Sequence, residues 1–359
     1  MKVCWVSNYF SPYKLKLFNE IGKHIELTAV FLAGTDDNNR NDEWKLTEGL
    51  SFKSYIIDSD YYSLINRLAK ENDILVDSMY STKYGILAVN AFKRRHKKII
   101  MDSDGGIPID RGFVMNKAIS FFMKRHDYFF SPSKQSNYYF EFYGVDPEKI
   151  LLYRFTSLME KEINDHKVLR NSKKEFRKEL GIDDKFTILN VGRPIEVKGF
   201  DILLDAYMNT GLTDKINLYI VGGKPQEHIQ KIVDDNKLDN VHFIDLLPTE
   251  ELNKYYAASD TLIFTSRGDV WGLVVEEAMS FGLPVIASNK NGAGNHFKTL
   301  GSNTMICELN DINAYSDYIK QLYNDSKLLE ELSLKSFDIV KDYTIENSAS
   351  DIIGNLNKV

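Results

Sequence analysis

The sequence predicts an α/β protein built as two doubly wound, parallel-sheet domains. Its 359 residues are too many for one ordinary core and suit two. Short β-rich apolar runs alternate with longer stretches of helical spacing, and the alternation occurs twice, which is the pattern of βαβ units. Between the two series, from about Glu160 to Glu179, the chain turns charged and holds no apolar strand. The expected domains are therefore residues 1–160 and 161–340.

In the first series, Val3 to Val6, Leu27 to Leu32, Ile74 to Val76, Lys98 to Met101 and Tyr128 to Phe130 read as strands. Ser11 to Lys23, Tyr62 to Glu71 and Tyr84 to Arg95 have helical spacing between them. In the second series the strands are Phe186 to Val191, Asn217 to Val221, Val241 to Phe243, Thr261 to Phe264 and Pro284 to Ala287. Gly199 to Met208 and Glu250 to Ala258 are helical patterns between them. Two such sheets facing each other leave a central cleft, and ligands in these folds bind beyond the carboxyl ends of strands.

Composition narrows the function. Charged residues make up 27% and the hydrophobic set 43%, the balance of a globular chain. Lys plus Arg number 45 against 51 for Asp plus Glu, a net of −6, so nothing in the overall charge argues for nucleic acid. Two distant cysteines, Cys4 and Cys307, make neither a disulfide framework nor a four-ligand zinc site, which fits a reducing compartment. No run approaches the roughly 18 apolar residues of a membrane span, and the first residues are too short for a signal core. The expected location is the cytoplasm, and richness in Lys, Asn, Ile and Tyr fits a bacterial source.

Two segments carry chemistry. In Asn190-Val-Gly-Arg-Pro-Ile-Glu-Val-Lys-Gly-Phe-Asp201 a strand ends at Val191, Gly192 permits a tight turn, and Arg193 and Lys198 bracket a loop leading into a helix. Two cations beside a helix N-terminus suit a diphosphate, because the N–H groups and the helix dipole add to the same positive field. A loop with two solvated cations reads the same way. Gly222-Gly223 is a second glycine-rich strand end.

The stronger segment runs from Ser266 to Ser288. A strand ends near Phe264, a loop carries Asp269 and Trp271, and a helix from about Leu273 to Phe281 closes at Gly282. Asp269 and Glu277 are eight apart, so both carboxylates can address one cleft beside the N–H groups around Gly272 and Leu273. A helix-surface salt bridge is the ordinary role of such a glutamate, and Glu276 is expected to fill it.

These residues resemble the signature of the family-4 retaining glycosyltransferases: an acid, seven residues, Glu, then Ala-Met and a Gly-x-Pro-Val-Ile run. Gly192-Arg193, Lys198-Gly199, Val241-His-Phe, Glu250-Glu-Leu and Tyr256-Ala-Ala-Ser-Asp260 match the same family in order and spacing over about 100 residues. The resemblance implies the GT-B fold of two facing Rossmann-like domains, an N-terminal one for acceptor and a C-terminal one for donor, with residues 341–359 as a helix crossing back to the first. It assigns Gly192, Arg193 and Lys198 to the donor diphosphate and Glu277 to the ribose. Asp269 would stand by the transferred sugar, where the family usually has Glu. Trp271, Gly272 and Leu273 would supply backbone contacts, and the loop around Phe243 and Leu246 would hold the nucleobase.

The N-terminal half matches less closely. Ser7-Asn-Tyr-Phe-Ser-Pro-Tyr-Lys14 lacks the family's glycine-rich loop, and Asn8, Tyr9 and Tyr13 are candidates for acceptor contact or for packing. Where many members have a cleft histidine, the chain reads Asp102-Ser-Asp-Gly-Gly106, resembling the Ser-Asp-Gly variant of some polysaccharide-assembly enzymes. Asp104 or Asp102 would bond sugar hydroxyls there, or form an Asp-Gly turn. His96 and His126, in basic helix-end contexts, read as surface residues. Lys117 to Arg125 mixes aromatics and cations at helical spacing, which suits peripheral contact with the inner membrane surface and equally a helix with one core and one solvated face.

The implied reaction is metal-independent, retaining transfer from a nucleotide diphosphate sugar, with UDP as default, to a saccharide or lipid-linked acceptor in bacterial polysaccharide assembly. It needs no cofactor. Two alternatives share the fold. A sugar phosphorylase or sugar-phosphate synthase would need a phosphate site, for which Arg111 and Lys14 are candidates. A non-catalytic nucleotide-binding assembly subunit is the other.

Overall fold

The computed structural model describes residues 1–32, 49–57, 60–106, 108–301 and 304–359. The chain divides into two compact units, Met1–Met159 with Tyr343–Val359, and Glu160–Asp342.

The sheet of the first unit has seven strands: β1 (Lys2–Ser7), β2 (Glu26–Leu32), β3 (Lys53–Ile57), β4 (Ile74–Asp77), β5 (Lys98–Asp102), β6 (Tyr128–Ser131) and β7 (Ile150–Leu152). They lie in the order β3-β2-β1-β4-β5-β6-β7, every pair parallel. Val3 sits opposite Leu27 on one side and Ile74 on the other. All four residues of β4 are buried, as expected where helices cover both faces of a parallel sheet. The connecting helices are α1 (Pro12–Gly22), α2 (Tyr61–Glu71), α3 (Lys83–Lys93), α4 (Phe113–Met123) and α5 (Lys134–Phe142). Local sequence starts them: Pro12 occupies the first turn of α1, the Thr82 hydroxyl accepts from the Gly85 N–H, and Ser133 accepts from Ser136.

In the second unit the charged stretch is α6 (Glu160–Asn171) and α7 (Lys173–Leu180), the latter ended by Gly181 in the left-handed conformation. Its sheet joins β8 (Phe186–Val191), β9 (Ile216–Val221), β10 (Val241–Ile244), β11 (Thr261–Phe264), β12 (Val285–Ser288) and β13 (Thr304–Cys307). The order is β10-β9-β8-β11-β12-β13, again all parallel. The helices are α8 (Phe200–Asn209), α9 (Glu227–Asp235), α10 (Thr249–Ala258), α11 (Leu273–Ser280), α12 (Gly292–Thr299), α13 (Ile312–Asn324) and α14 (Ser326–Val340). One core cluster packs Ile188, Leu203, Tyr207, Leu218, Ile263, Ile286 and Tyr315, all fully buried. At the opposite end from the strand carboxyl termini, Asp260 accepts from Arg177 and from the Thr187 N–H, both at 2.7 Å, which pins α7 to β8 and β11.

The chain ends in α15 (Ile345–Leu356), which packs on α1 of the first unit. There Asp351 takes both Nε and Nη2 of Arg154, at 2.8 and 2.7 Å, and Asn355 donates to the Leu152 carbonyl at 2.8 Å.

The structure corrects one reading in this unit. His126 is not a surface residue: it is buried, with Nε2 3.3 Å from Asp77 Oδ2. It follows α4 directly, and the turn into β6 carries it inward beside Phe129.

Candidate functional site

The carboxyl ends of β8, β9, β11 and β12 converge on one edge of the second unit's sheet, where doubly wound folds bind ligands. Glycines set how closely their loops approach. The Gly192 N–H donates to the Val221 carbonyl at 2.9 Å, and a Cβ on Gly222 would lie 2.3 Å from the Gly192 oxygen. Gly222 also has φ +142, so both space and backbone demand glycine there. Beyond Gly192 the chain makes a single 3-10 turn, Glu196–Lys198, and enters α8 through Gly199 at φ +66.

That turn is bound to the loop after β11. Thr265 Oγ1 donates to the Gly199 carbonyl at 2.9 Å, Ser266 Oγ to Val197 at 3.0 Å, and the Arg267 N–H to Val197 at 2.7 Å. The Arg267 guanidinium grips Asp201 with two hydrogen bonds, at 2.9 and 2.5 Å. Held this way, Lys198 lays its stem over Gly192, and its Nζ meets Asp269 Oδ2 at 2.7 Å and lies 4.9 Å from the centroid of Phe264. Arg193 is exposed on the same loop, and its guanidinium has no ion pair among the described residues.

The loop after β11 is fixed on its other side by the loop after β12. The Asp269 N–H donates to the Lys290 carbonyl at 3.0 Å and the Ala293 N–H to Trp271 at 2.8 Å. The Asn291 amide donates to the Trp271 carbonyl at 2.7 Å while its oxygen accepts from Gly294. Gly272, at φ +92, opens α11 with no side-chain cap, and a Cβ there would collide with the Asn291 amide. Four turn-forming contacts thus present the start of α11 to the same edge as Lys198 and Asp269.

Glu276 and Glu277 part ways. Glu276 does not form the expected surface salt bridge: it is fully buried and accepts from the Trp271 indole N–H at 3.1 Å. A carboxylate can stand there because the indole and the helix start favour negative charge. Glu277 is half-buried and accepts from the Tyr256 hydroxyl at 2.8 Å. Burial first, then the Glu277 charge, pushes the Tyr256 phenol well above its usual range, so it stays a donor. Phe243 packs against the core, half-buried at the end of β10, and Leu246 beyond it is exposed.

Asp104 belongs to the first unit, with Asp102 at the end of β5. Tyr13 donates to Asp104 Oδ2 at 3.1 Å. Asp102 is buried, accepts from Ser78 at 2.5 Å, and its Oδ1 is without a hydrogen-bond partner among the described residues. Burial raises its carboxyl to about 6, with Lys14 opposing and Asp104 adding to the shift. Of the two phosphate candidates, Lys14 is buried and donates to Ser7 at 3.1 Å, and Arg111 is exposed. Among the described residues no group of three or more His, Cys, Asp or Glu side chains is placed to hold a metal ion, and no helix is long and apolar enough to cross a membrane.

Sequence reasoning missed the side chains that hold this site, Thr265, Arg267 with Asp201, and Asn291. Asn291-Gly292 after a strand was the available signal, as an N-cap ahead of α12.

Residues 172–336 match the family model for glycosyl transferases group 1. An uncharacterized glycosyltransferase of Haemophilus influenzae is 34% identical over 165 residues, 45% of this chain and 46% of that protein. The O-antigen chain mannosyltransferase B of Escherichia coli is 28% identical over 113 residues, 32% of this chain and 29% of its own. The chain thus spans less than half the length of these curated relatives. The crystal structure of Anabaena HepE in complex with UDP superimposes with a TM-score of 0.79 over 100% of both chains at 16% identity, a likeness of fold. The protein therefore has the two Rossmann-like units of the GT-B fold, and the second of them carries, over residues 172–336, the match to glycosyl transferases group 1.

Proposed function

We propose that the chain is a retaining glycosyltransferase that moves a sugar from a nucleoside diphosphate sugar, UDP-linked by preference, to a hydroxyl of a saccharide or lipid-linked acceptor in surface-polysaccharide assembly. The observation that carries this reading is the contact of Lys198 with Gly192 and Asp269 at a strand edge where α11 opens uncapped. A diphosphate lying there would face the Lys198 ammonium, the exposed Arg193 guanidinium and the N–H groups of Gly272 and Leu273. Negative charge grows on the diphosphate as the glycosidic bond breaks. Cations and N–H dipoles already in place stabilise that charge more than the ground state, and this difference is the catalysis. Such charge compensation serves without a metal.

In this reading Asp269, held by Lys198, accepts a hydroxyl of the transferred sugar, and Glu277, oriented by Tyr256, accepts the ribose hydroxyls. Phe243 and Leu246 flank the base, and Trp271 fixes the loop through its buried indole. Asp104, beside Tyr13 in the first unit, is assigned to hydroxyls of a sugar bound by that unit. No side-chain base is named: attack on the face the diphosphate leaves lets a phosphate oxygen take the acceptor proton, with retention. UDP in HepE and the O-antigen assignment of the E. coli relative support the donor and the pathway class. The reaction is placed in the cytoplasm, with peripheral contact at the inner membrane surface.

The test is calorimetric titration of UDP-, GDP- and ADP-sugars into the full chain, with slow donor hydrolysis followed in a chelator. The expected result is binding and hydrolysis of a UDP-sugar, with the anomeric configuration of the released sugar retained. A folded protein that binds none of them is a non-catalytic subunit instead.

A further inference from the structure

Helix α4 inverts the usual pattern of a surface helix. Of its eleven residues only Met123 is buried, and Ile119 packs part-way into the cluster of Met101, Phe129 and Phe140. The outward face is apolar: Phe113 is 73% exposed, Val114 81% and Phe121 66%, with Met115 and Phe122 beside them. An apolar patch of this size on one helix marks a binding surface. Residues 111–126 contain Arg111, Lys117, Lys124 and Arg125 and no Asp or Glu, in a chain of net charge −6. Lys117 Nζ lies 4.3 Å above the Phe113 ring, cation and aromatic sharing one outward stripe.

Beneath α4 lies a mostly apolar cavity of about 450 Å³, walled by Tyr80, Met101, Ile119, Phe122 and Tyr139, with Arg111 also in its lining. It borders the loop carrying Asp104, since a Cβ on Gly106 would meet the Tyr139 ring at 2.7 Å. Apolar walls with the exposed Arg111 guanidinium at their margin suit a hydrocarbon chain that ends in an anionic head.

We propose that α4 and this cavity hold an anionic phospholipid-like acceptor: α4 lies on an anionic bilayer, one apolar chain of the lipid enters the cavity, and Arg111 pairs with its phosphate. The proposal rests on the function given above and narrows its acceptor to the lipid-linked class. Charge selects this occupant. A cationic apolar helix without acidic residues matches a surface of anionic headgroups over hydrocarbon.

The experiment uses the full chain and two probes. Co-sedimentation compares phosphatidylcholine vesicles with vesicles that also contain phosphatidylglycerol, for the wild type and for the double variant Val114→Asp, Phe121→Asp. Calorimetry compares dodecyl phosphate, below its micelle concentration, with inorganic phosphate, for the wild type and for Ala118→Trp, which narrows the cavity from α4. The expected results are binding to anionic vesicles only, lost about tenfold or more in the double variant, and one-to-one binding of dodecyl phosphate weakened about tenfold by Ala118→Trp. Failure to bind anionic vesicles, equal binding of inorganic phosphate, or indifference to Ala118→Trp overturns the proposal. UDP-sugar hydrolysis, expected unchanged in both variants, separates the two claims. Hydrolysis without lipid binding defeats only the lipid site, and lipid binding without nucleotide-sugar binding defeats the transferase reading.

Discussion

Lys198 donates to Asp269 at 2.7 Å and joins the loops that follow two neighbouring strands, β8 and β11. Both side chains are largely shielded, at 19% and 22% exposure, so each is the other's main countercharge. Removing either partner leaves the other charge uncompensated. Lys198→Ala is expected to lower kcat/KM by about 1.5–3 kcal/mol, roughly ten- to hundredfold, and Asp269→Asn by a similar factor. The double variant should cost less than the sum, since the two act as one unit. A kcat/KM cycle of all four proteins on a UDP-sugar checks this, and strictly additive losses would show two independent roles.

Tyr256 and Glu277 make the second coupled pair. With its phenol held protonated by burial, Tyr256 donates to the carboxylate and fixes where it points. Tyr256→Phe deletes one hydrogen bond, so UDP affinity should fall by about 1 kcal/mol, roughly fivefold, while Glu277→Ala should cost about 1.5–3 kcal/mol. Calorimetric titration of UDP measures both. An unchanged affinity in Glu277→Ala would move the ribose elsewhere.

Gly222 tests whether loop spacing matters. A methyl group there meets backbone, the Gly192 carbonyl oxygen at 2.3 Å, and the φ of +142 adds strain. Gly222→Ala is expected to destabilise by roughly 1–3 kcal/mol. A fall in melting temperature of about 2–4 °C per kcal/mol is the corresponding shift for a unit of this size. Gly268→Ala is the control, because a Cβ there meets nothing within 4 Å. Equal melting temperatures for the two variants would mean the β8 loop gives way freely.

Central strands were legible in the sequence because burial on both faces makes their interiors continuous apolar runs, as at Ile74 to Val76 and Leu262 to Phe264. The strands it did not reveal, β3, β7 and β13, are all at sheet edges, where half-burial mixes polar and apolar residues in β3 and β13 and where β7 is only three residues long. The Gly192 to Lys198 loop and the Asp269 to Glu277 segment were legible because each is local. Their supports were not, since Thr265 to Gly199, Arg267 to Asp201 and Asn291 to Trp271 are contacts made across loops distant in sequence. Glu276 shows the limit of reading by residue type. A glutamate next to another glutamate reads as exposed, and only the folded loop brings the Trp271 indole to it.

Asp102 gives the first unit a pH signature. Its carboxyl lies at about 6 in the folded protein, against an ordinary 3.8, because burial outweighs the Lys14 charge. Between those values the folded chain keeps a proton that the unfolded chain has released. Stability from this group is therefore highest near pH 4, falls as pH rises to about 6, and levels off above, a loss on the order of 3 kcal/mol. Asp102→Asn cannot ionise and should not show this loss. All other titrating groups are common to both proteins, so the difference in unfolding free energy between wild type and variant isolates it. Urea unfolding at about pH 4.5 and pH 7 should show the wild type losing ground to Asp102→Asn at the higher pH. A difference that stays constant would mean that Asp102 ionises in the folded protein as freely as in the unfolded chain, and that the Ser78 and Lys14 contacts compensate its burial in full.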